Sequence, residues 1–106
     1  MAELTYREAV GAAIAQEMRL DSNVVFLGED VAAAGGVFKT TAGLLDEFGP
    51  ERVKDTPISE QAIIGAAMGL AIKGYKPIVE MQFADFVSVG FNQIVNNLAK
   101  TYYRWG

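Results

Sequence analysis

The chain is 106 residues long, carries a net charge of −4 and is 51% hydrophobic, which bounds it to one small domain or a piece of a larger one. It has no cysteine and no histidine, which excludes disulfides, thiolate chemistry and a histidine-based zinc site. Any general acid or base must therefore be a carboxylate, Lys or Tyr. Counted with glycine and without tyrosine, about 58% of the residues are apolar, against about 45–50% in typical domains. A chain this short hides only about two-thirds of its surface by itself, so the excess suggests burial against a partner or further chain. The basic residues are scattered rather than striped, which argues against a nucleic-acid surface. No apolar run approaches the ~18 residues of a membrane span. The start, MAELTYREA, is polar and acidic and lacks the pattern of a secretory signal.

Thr5-Tyr6-Arg7-Glu8 is a capping box that opens an alanine-rich helix to about Arg19. After a break at Asp21-Ser22-Asn23, Val24–Leu27 (VVFL) is the continuous apolar run of a strand buried on both faces. It ends in Gly28-Glu29-Asp30, and Ala32–Phe38 (AAAGGVF) predicts a flexible loop. A short helix over about Thr41–Phe48 closes at Gly49-Pro50, and a second strand is expected at Arg52–Asp55. Pro57 marks the exit from that strand, because it cannot donate to a ladder and holds Thr56 extended. The next helix runs from Ser59, a good N-cap, to Gly74, a natural residue for the position after a helix end. Pro77 introduces a third strand, Ile78–Phe83 (IVEMQF), and Asp85 is placed to cap a long final helix from Phe86 to about Tyr103.

Helices alternating with short apolar strands indicate an α/β fold, a parallel sheet with flanking helices. Three strands make a thin sheet, and Trp105 follows with no closing strand, so residues 1–106 are expected to be an incomplete domain. Ligands of such sheets bind beyond the carboxyl ends of the strands. Glu29, Glu60 and the Phe83–Phe86 segment each follow a predicted strand and could converge there.

Each candidate has a plain structural reading. Glu60, on its own, is a first-turn acid that complements the helix dipole. Gly65 and Gly69 form G-x-x-x-G, which suits tight packing on a neighbouring element or a helix pair between subunits. Gly35-Gly36 lacks the spacing of either common phosphate-binding loop. Phe83 and Phe86 could be core with Asp85 as a cap, or a flat wall that stacks on a planar ring beside the Gln82 amide.

VVFLGEDV (Val24–Val31), GGVFKTTAGLLDEFGPERVKDTPISEQ (Gly35–Gln61), PIVEMQFADF (Pro77–Phe86) and QIVNNLAKTYYRWG (Gln93–Gly106) together resemble one family. It is the beta subunit of the thiamine-diphosphate-dependent, decarboxylating component of 2-oxo acid dehydrogenase complexes. The resemblance covers essentially the whole chain, and the Glu60-Gln61 pair and the QFADF block look more like branched-chain than pyruvate members. It implies a transketolase-type pyrimidine-binding domain, truncated, lacking its later strands and the C-terminal domain. It also implies that Glu60 contacts the ring nitrogen of the cofactor's aminopyrimidine and that Phe86 stacks on that ring. Glu29, Ile58 and Gln82 would line or support the same pocket.

The implied chemistry gives position 60 a reason to be acidic. The cofactor works through a carbanion at its thiazolium ring, which the protein tunes and positions. A carboxyl that shares a proton with the pyrimidine nitrogen favours the imine form of the exocyclic amine, which then takes the thiazolium proton. A dry pocket favours a proton on such a carboxyl, whereas a helix N-terminus favours its charge, so burial would have to dominate. Members of the family bind diphosphate and Mg2+ through a Gly-Asp-Gly motif followed by Asn, absent from this chain, and are considerably longer. The resemblance therefore implies half a cofactor site, with the rest on an alpha subunit or fused alpha domain. It also implies a second beta subunit in a heterotetramer, and a lipoyl-bearing acyltransferase partner. The implied compartment is the cytoplasm, or the mitochondrial matrix of a eukaryote. The alternatives are another thiamine enzyme of the superfamily, such as an acetoin dehydrogenase or a transketolase-like synthase, and a non-catalytic α/β interaction domain. The last would show an exposed Glu60 and a Phe86 buried in the domain's own core.

Overall fold

Thr5 and Glu8 form the reciprocal cap that their spacing predicts. The Thr5 hydroxyl accepts from the Glu8 N–H at 3.2 Å, and the Glu8 carboxylate accepts from the Thr5 N–H at 2.8 Å. They open helix α1, Tyr6–Leu20. The protein is seen in a computed structural model that describes residues 3–106, so the first two residues of MAELTYREA lie outside the described residues. In chain order there follow β1 (Val24–Gly28), α2 (Leu44–Phe48), β2 (Val53–Asp55), α3 (Glu60–Ile72) and β3 (Lys76–Val79). Beyond β3 come a 3₁₀ turn (Ala84–Ser88), a π-helical turn (Gln93–Asn97), a second 3₁₀ turn (Leu98–Lys100) and α4 (Thr101–Trp105).

The three strands form one parallel sheet in the order β2-β1-β3. The uninterrupted run of β1 fits its central place, because all five of its residues are buried. The Lys76 and Glu80 N–H groups donate to the carbonyls of Asn23 and Leu27. The Pro77 nitrogen, one residue out of phase, therefore faces the free edge, where its missing donor costs nothing. The core lies between α1, β1, α2 and β2, around Met18, Phe26, Val31, Leu44 and Val53. Arg52 closes it from below. Its guanidinium donates to the carbonyls of Met18 (2.6 Å), Asp21 (2.8 Å) and Val24 (2.9 Å) and lies over the Phe48 ring. These bonds tie together a carbonyl in the last turn of α1, one at its cap and one at the start of β1.

Several expectations need correction. The helix predicted from Thr41 starts at Leu44, because Gly43 takes a left-handed φ of 88° and the preceding residues form turns. The expected flexible loop at Gly35-Gly36 is a hydrogen-bonded turn, with both glycines at positive φ and the Thr41 hydroxyl donating to the Val31 carbonyl at 2.8 Å. Ser59 precedes α3 but makes no side-chain cap. The third strand spans Lys76–Val79 rather than Ile78–Phe83. Its partner β1 ends at Gly28, and the last register pair is Leu27 with Val79. The Glu80 N–H still bonds the Leu27 carbonyl, and beyond it, with no neighbour left to pair with, residues 81–83 leave the sheet. The predicted long final helix is instead a series of short turns, and Asp85 contributes no cap to the first of them. Gly90 interrupts it where the chain presses on the start of α3. A Cβ there would stand 3.1 Å from the Glu60 carbonyl oxygen and overlap the tip of Ile64.

Candidate functional site at the carboxyl ends of the strands

The last register pair between β1 and β2 is Gly28 with Asp55. The next residues, Glu29 and Thr56, therefore emerge side by side at the carboxyl edge of the sheet, where parallel α/β sheets bind ligands. The Thr56 N–H donates to the Gly28 carbonyl at 2.9 Å, and the Glu80 N–H donates to that of Leu27 at 3.0 Å. Gly28 allows this crowding: a Cβ on it would come within 2.7 Å of the Val31 side chain and 3.2 Å of the Glu80 Cβ.

Glu60 is the first residue of α3 and is only 9% exposed. Glu29 is 5% exposed and faces it. Burial pushes the Glu29 carboxyl above the usual carboxylate range, the nearby Glu60 carboxylate adds to this, and the Ser59 backbone opposes it. One Glu29 oxygen, Oε1, is buried without a hydrogen-bond partner, and so is the Thr56 hydroxyl. Orphaned buried polar atoms are rare in folded chains and call for an explanation. Two at adjacent strand ends fit a polar ligand.

Gln82 reaches back to the same edge, its side-chain amide donating to the Glu29 carbonyl at 3.5 Å. Phe86 is half-buried in the Ala84–Ser88 turn, its ring meeting Phe83 edge-on with centroids 5.3 Å apart. The Gly90 contact holds this segment against the start of α3. Ile58 stands apart, 86% exposed on the approach to α3. Glu29, Glu60 and Gln82 thus gather at one edge, Phe86 lies on the segment packed beside it, and Ile58 touches nothing in the site. A buried Glu60 with a partly open Phe86 is the reverse of what a non-catalytic interaction domain would show.

Two site residues escaped sequence reasoning. Thr56 read only as the extended residue before Pro57. Glu80 read as part of a strand, yet burial raises its carboxyl too, at the end of β3. An acid inside the apolar run PIVEMQF was the available signal. Elsewhere, an apolar groove of about 390 Å³ opens between α3, β3 and the C-terminal turns, lined by Ile64, Met68, Val79, Met81, Ile94 and Leu98. Among the described residues no cluster of three or more His, Cys, Asp or Glu side chains is placed to hold a metal, and no helix is long and apolar enough to cross a membrane.

A buried carboxyl pair, an aromatic face and an amide can together grip a planar heterocycle. They can stack on its face, exchange a proton with a ring nitrogen and bond an exocyclic group. Comparison with known proteins gives the family of the chain. Residues 2–106 match the family described as "Transketolase, pyrimidine binding domain". The chain is 52% identical over 104 residues to the 2-oxoisovalerate dehydrogenase subunit beta of Bacillus subtilis, covering 98% of this chain and 32% of that protein. It is 52% identical over 93 residues to the pyruvate dehydrogenase E1 component subunit beta of Leifsonia xyli, covering 88% of this chain and 28% of that protein. The corresponding Staphylococcus aureus subunit is 45% identical over 106 residues, all of this chain and 33% of its own length. The chain thus spans about a third of the length of the curated relatives it matches.

Proposed function

Because the chain belongs to the transketolase pyrimidine-binding domain family, we propose that it supplies the aminopyrimidine half of a thiamine diphosphate site in a 2-oxo acid dehydrogenase. The parent enzyme would oxidatively decarboxylate a 2-oxo acid and reductively acylate a lipoyl group on an acyltransferase partner. The single observation that carries this reading is the buried Glu60 at the start of α3, paired with the buried Glu29. The residues present fit the group. Glu60 offers its carboxyl to the pyrimidine ring nitrogen, Phe86 its ring face, and Gln82 an amide at the rim. The unpartnered Glu29 Oε1 and Thr56 hydroxyl supply polar atoms that a bound ring or its amine would satisfy. Ile58, open on the approach to α3 and apart from these groups, would reach the edge of the ring only once a second polypeptide covers it.

When bound, the cofactor supplies a nucleophilic ring carbon. The chain's own task is proton handling. Glu60 directs its carboxyl at the ring nitrogen as the proton-exchanging group, and Glu29, pushed above the usual carboxylate range by burial and by Glu60, limits the charge the edge can carry. The diphosphate and Mg2+ belong, on this reading, to an alpha subunit or fused alpha domain, with a second beta subunit completing a heterotetramer. Exposed Ile72, Phe91, Leu98, Tyr102, Tyr103 and Trp105 support such partners, since this much apolar surface favours burial. A cytoplasmic setting is proposed from the bacterial relatives. We favour a branched-chain-like substrate on the Glu60-Gln61 pair and the QFADF block, although relatives named for 2-oxoisovalerate and pyruvate are equally similar.

The test is Glu60→Gln in the full-length assembled enzyme. Losing a positioned acid–base group should slow exchange of the thiazolium proton by about 10²–10⁴-fold in a protein that still folds and assembles. Exchange at the wild-type rate would sink the assignment.

A further inference from the structure

Three phenylalanines form a ladder that ends at the candidate site. The Phe38 ring meets Phe83 edge-on, with centroids 5.5 Å apart and planes at 84°. Phe83 meets Phe86 in the same manner, at 5.3 Å and 63°. Phe38 and Phe83 are 53% and 47% exposed, so burial in the core does not account for their placement. The edge-to-face contacts do, because the positive ring edge of one meets the negative face of the next.

The two ends of the ladder are held very differently. At the Phe38 end the backbone is tied down. Arg7 of α1 donates from Nη1 to the Phe38 carbonyl at 3.1 Å, and the Gly36 N–H donates to the Asp30 carbonyl at 2.7 Å. Lys39, the next residue, sits at a left-handed φ of 61° and bonds the Ala34 carbonyl through Nζ at 2.6 Å. A non-glycine residue in that region persists only where its surroundings enforce it. At the other end, Phe86 lies in a short 3₁₀ turn with no side-chain cap, its N–H donating to the Phe83 carbonyl at 3.0 Å. The long-range bonds around Phe38 give the first ring of the ladder a defined position, and the two edge-to-face contacts pass that position on to Phe86, whose own turn is held only by local bonds and the Gly90 contact.

We propose that Phe38, acting through Phe83, is a positioning residue that fixes the plane of the Phe86 ring against the planar ring of the bound cofactor. The inference rests on the reading of Phe86 given above. An aromatic wall stacks well only at the right tilt, so loss of the brace weakens binding without removing any group that touches the ligand.

A double-mutant cycle in the full-length assembled enzyme tests it. Thiamine diphosphate is titrated with Mg2+ present, and the readouts are its Kd from tryptophan quenching and the near-ultraviolet dichroism of the bound cofactor at saturation. Phe38→Leu should raise Kd about two- to tenfold, the range of one aromatic pair, and alter the dichroism. Phe38→Tyr, which keeps the ring, should restore both. In a Phe86→Leu background, Phe38→Leu should add nothing. Should Phe38→Leu fail to assemble, Phe38→Met carries the same comparison. Wild-type Kd and dichroism in Phe38→Leu, or an equal loss in both backgrounds, would overturn the brace while leaving the pocket intact. Wild-type Kd in Phe86→Leu alone would overturn the pocket reading and the brace with it.

Discussion

The chain divides near Ile64 into two regions that are similarly apolar and very differently buried. Before that point Met18, Phe26, Val31, Val53 and Ile63 are fully covered. After it no large hydrophobic residue is buried, and Ile72, Phe91, Tyr102, Tyr103 and Trp105 stand open. The difference follows from topology. The first region has α1, α2 and the Asp30–Gly43 turns closing over one face of β1, whereas β3 forms a sheet edge and α3 is apolar all round with only its first turn covered. A helix apolar on every side belongs in an interior. The candidate site straddles the seam. Its Glu29–Glu60 pair comes from covered positions and is held by the chain's own core, while Glu80, Gln82 and Phe86 come from the open region.

The comparison can be broken at three places. The largest effect is expected within the covered region. Phe26→Ala removes a fully buried ring from the central strand and should cost the full-length protein about 3–5 kcal/mol, read from urea unfolding. A loss below about 1 kcal/mol would erase the distinction between the regions. The seam comes next. Gly90→Ala forces a Cβ against the Glu60 carbonyl and Ile64, and should cost about 1–3 kcal/mol by overpacking. It should also weaken cofactor binding, which calorimetry would detect; unchanged stability and affinity would mean that the open segment is not seated on α3.

The smallest effect concerns charge. Burial and Glu60 raise the Glu29 carboxyl above its ordinary value of 4.5. Below that value Glu29 is protonated folded or unfolded and has no effect. As the pH rises, the unfolded chain ionises first, so Glu29 costs stability progressively and fully once the pH exceeds its raised folded value. Glu29→Gln in the cofactor-free full-length protein should therefore raise the melting temperature at about pH 8, with the gain vanishing toward about pH 4. A gain independent of pH would contradict the buried carboxyl pair.

Local patterns announced much of this architecture. The Thr5–Glu8 spacing specified the start of α1, the run VVFL specified a strand covered on both faces, and Gly74 ended α3 as expected. There the Tyr75 N–H bonds the Leu70 carbonyl and the Gly74 N–H that of Ala71, the paired closure that a glycine at positive φ allows. Of the site, Glu29 was legible as an acid directly after an apolar strand, whereas Glu60 on its own read as a first-turn acid and gained a role through the resemblance of the blocks around it. Thr56 was not legible, since nothing in its own neighbourhood distinguishes a strand-end residue from any other, and Glu80 carried only the signal of an acid inside the apolar run PIVEMQF.

What the sequence determined by itself was the order of elements, the parallel α/β class and the family, because these depend on local periodicity and on long co-linear blocks. Tertiary structure alone decided where β3 ends, since that is set by the length of its neighbour. It also decided that the final segment breaks at Gly90, where the backbone must fit against α3. The pairing of Glu29 with Glu60 belongs to the same class: residues 31 positions apart in the chain meet only when the sheet brings two strand ends to one edge, and no local signal encodes that distance.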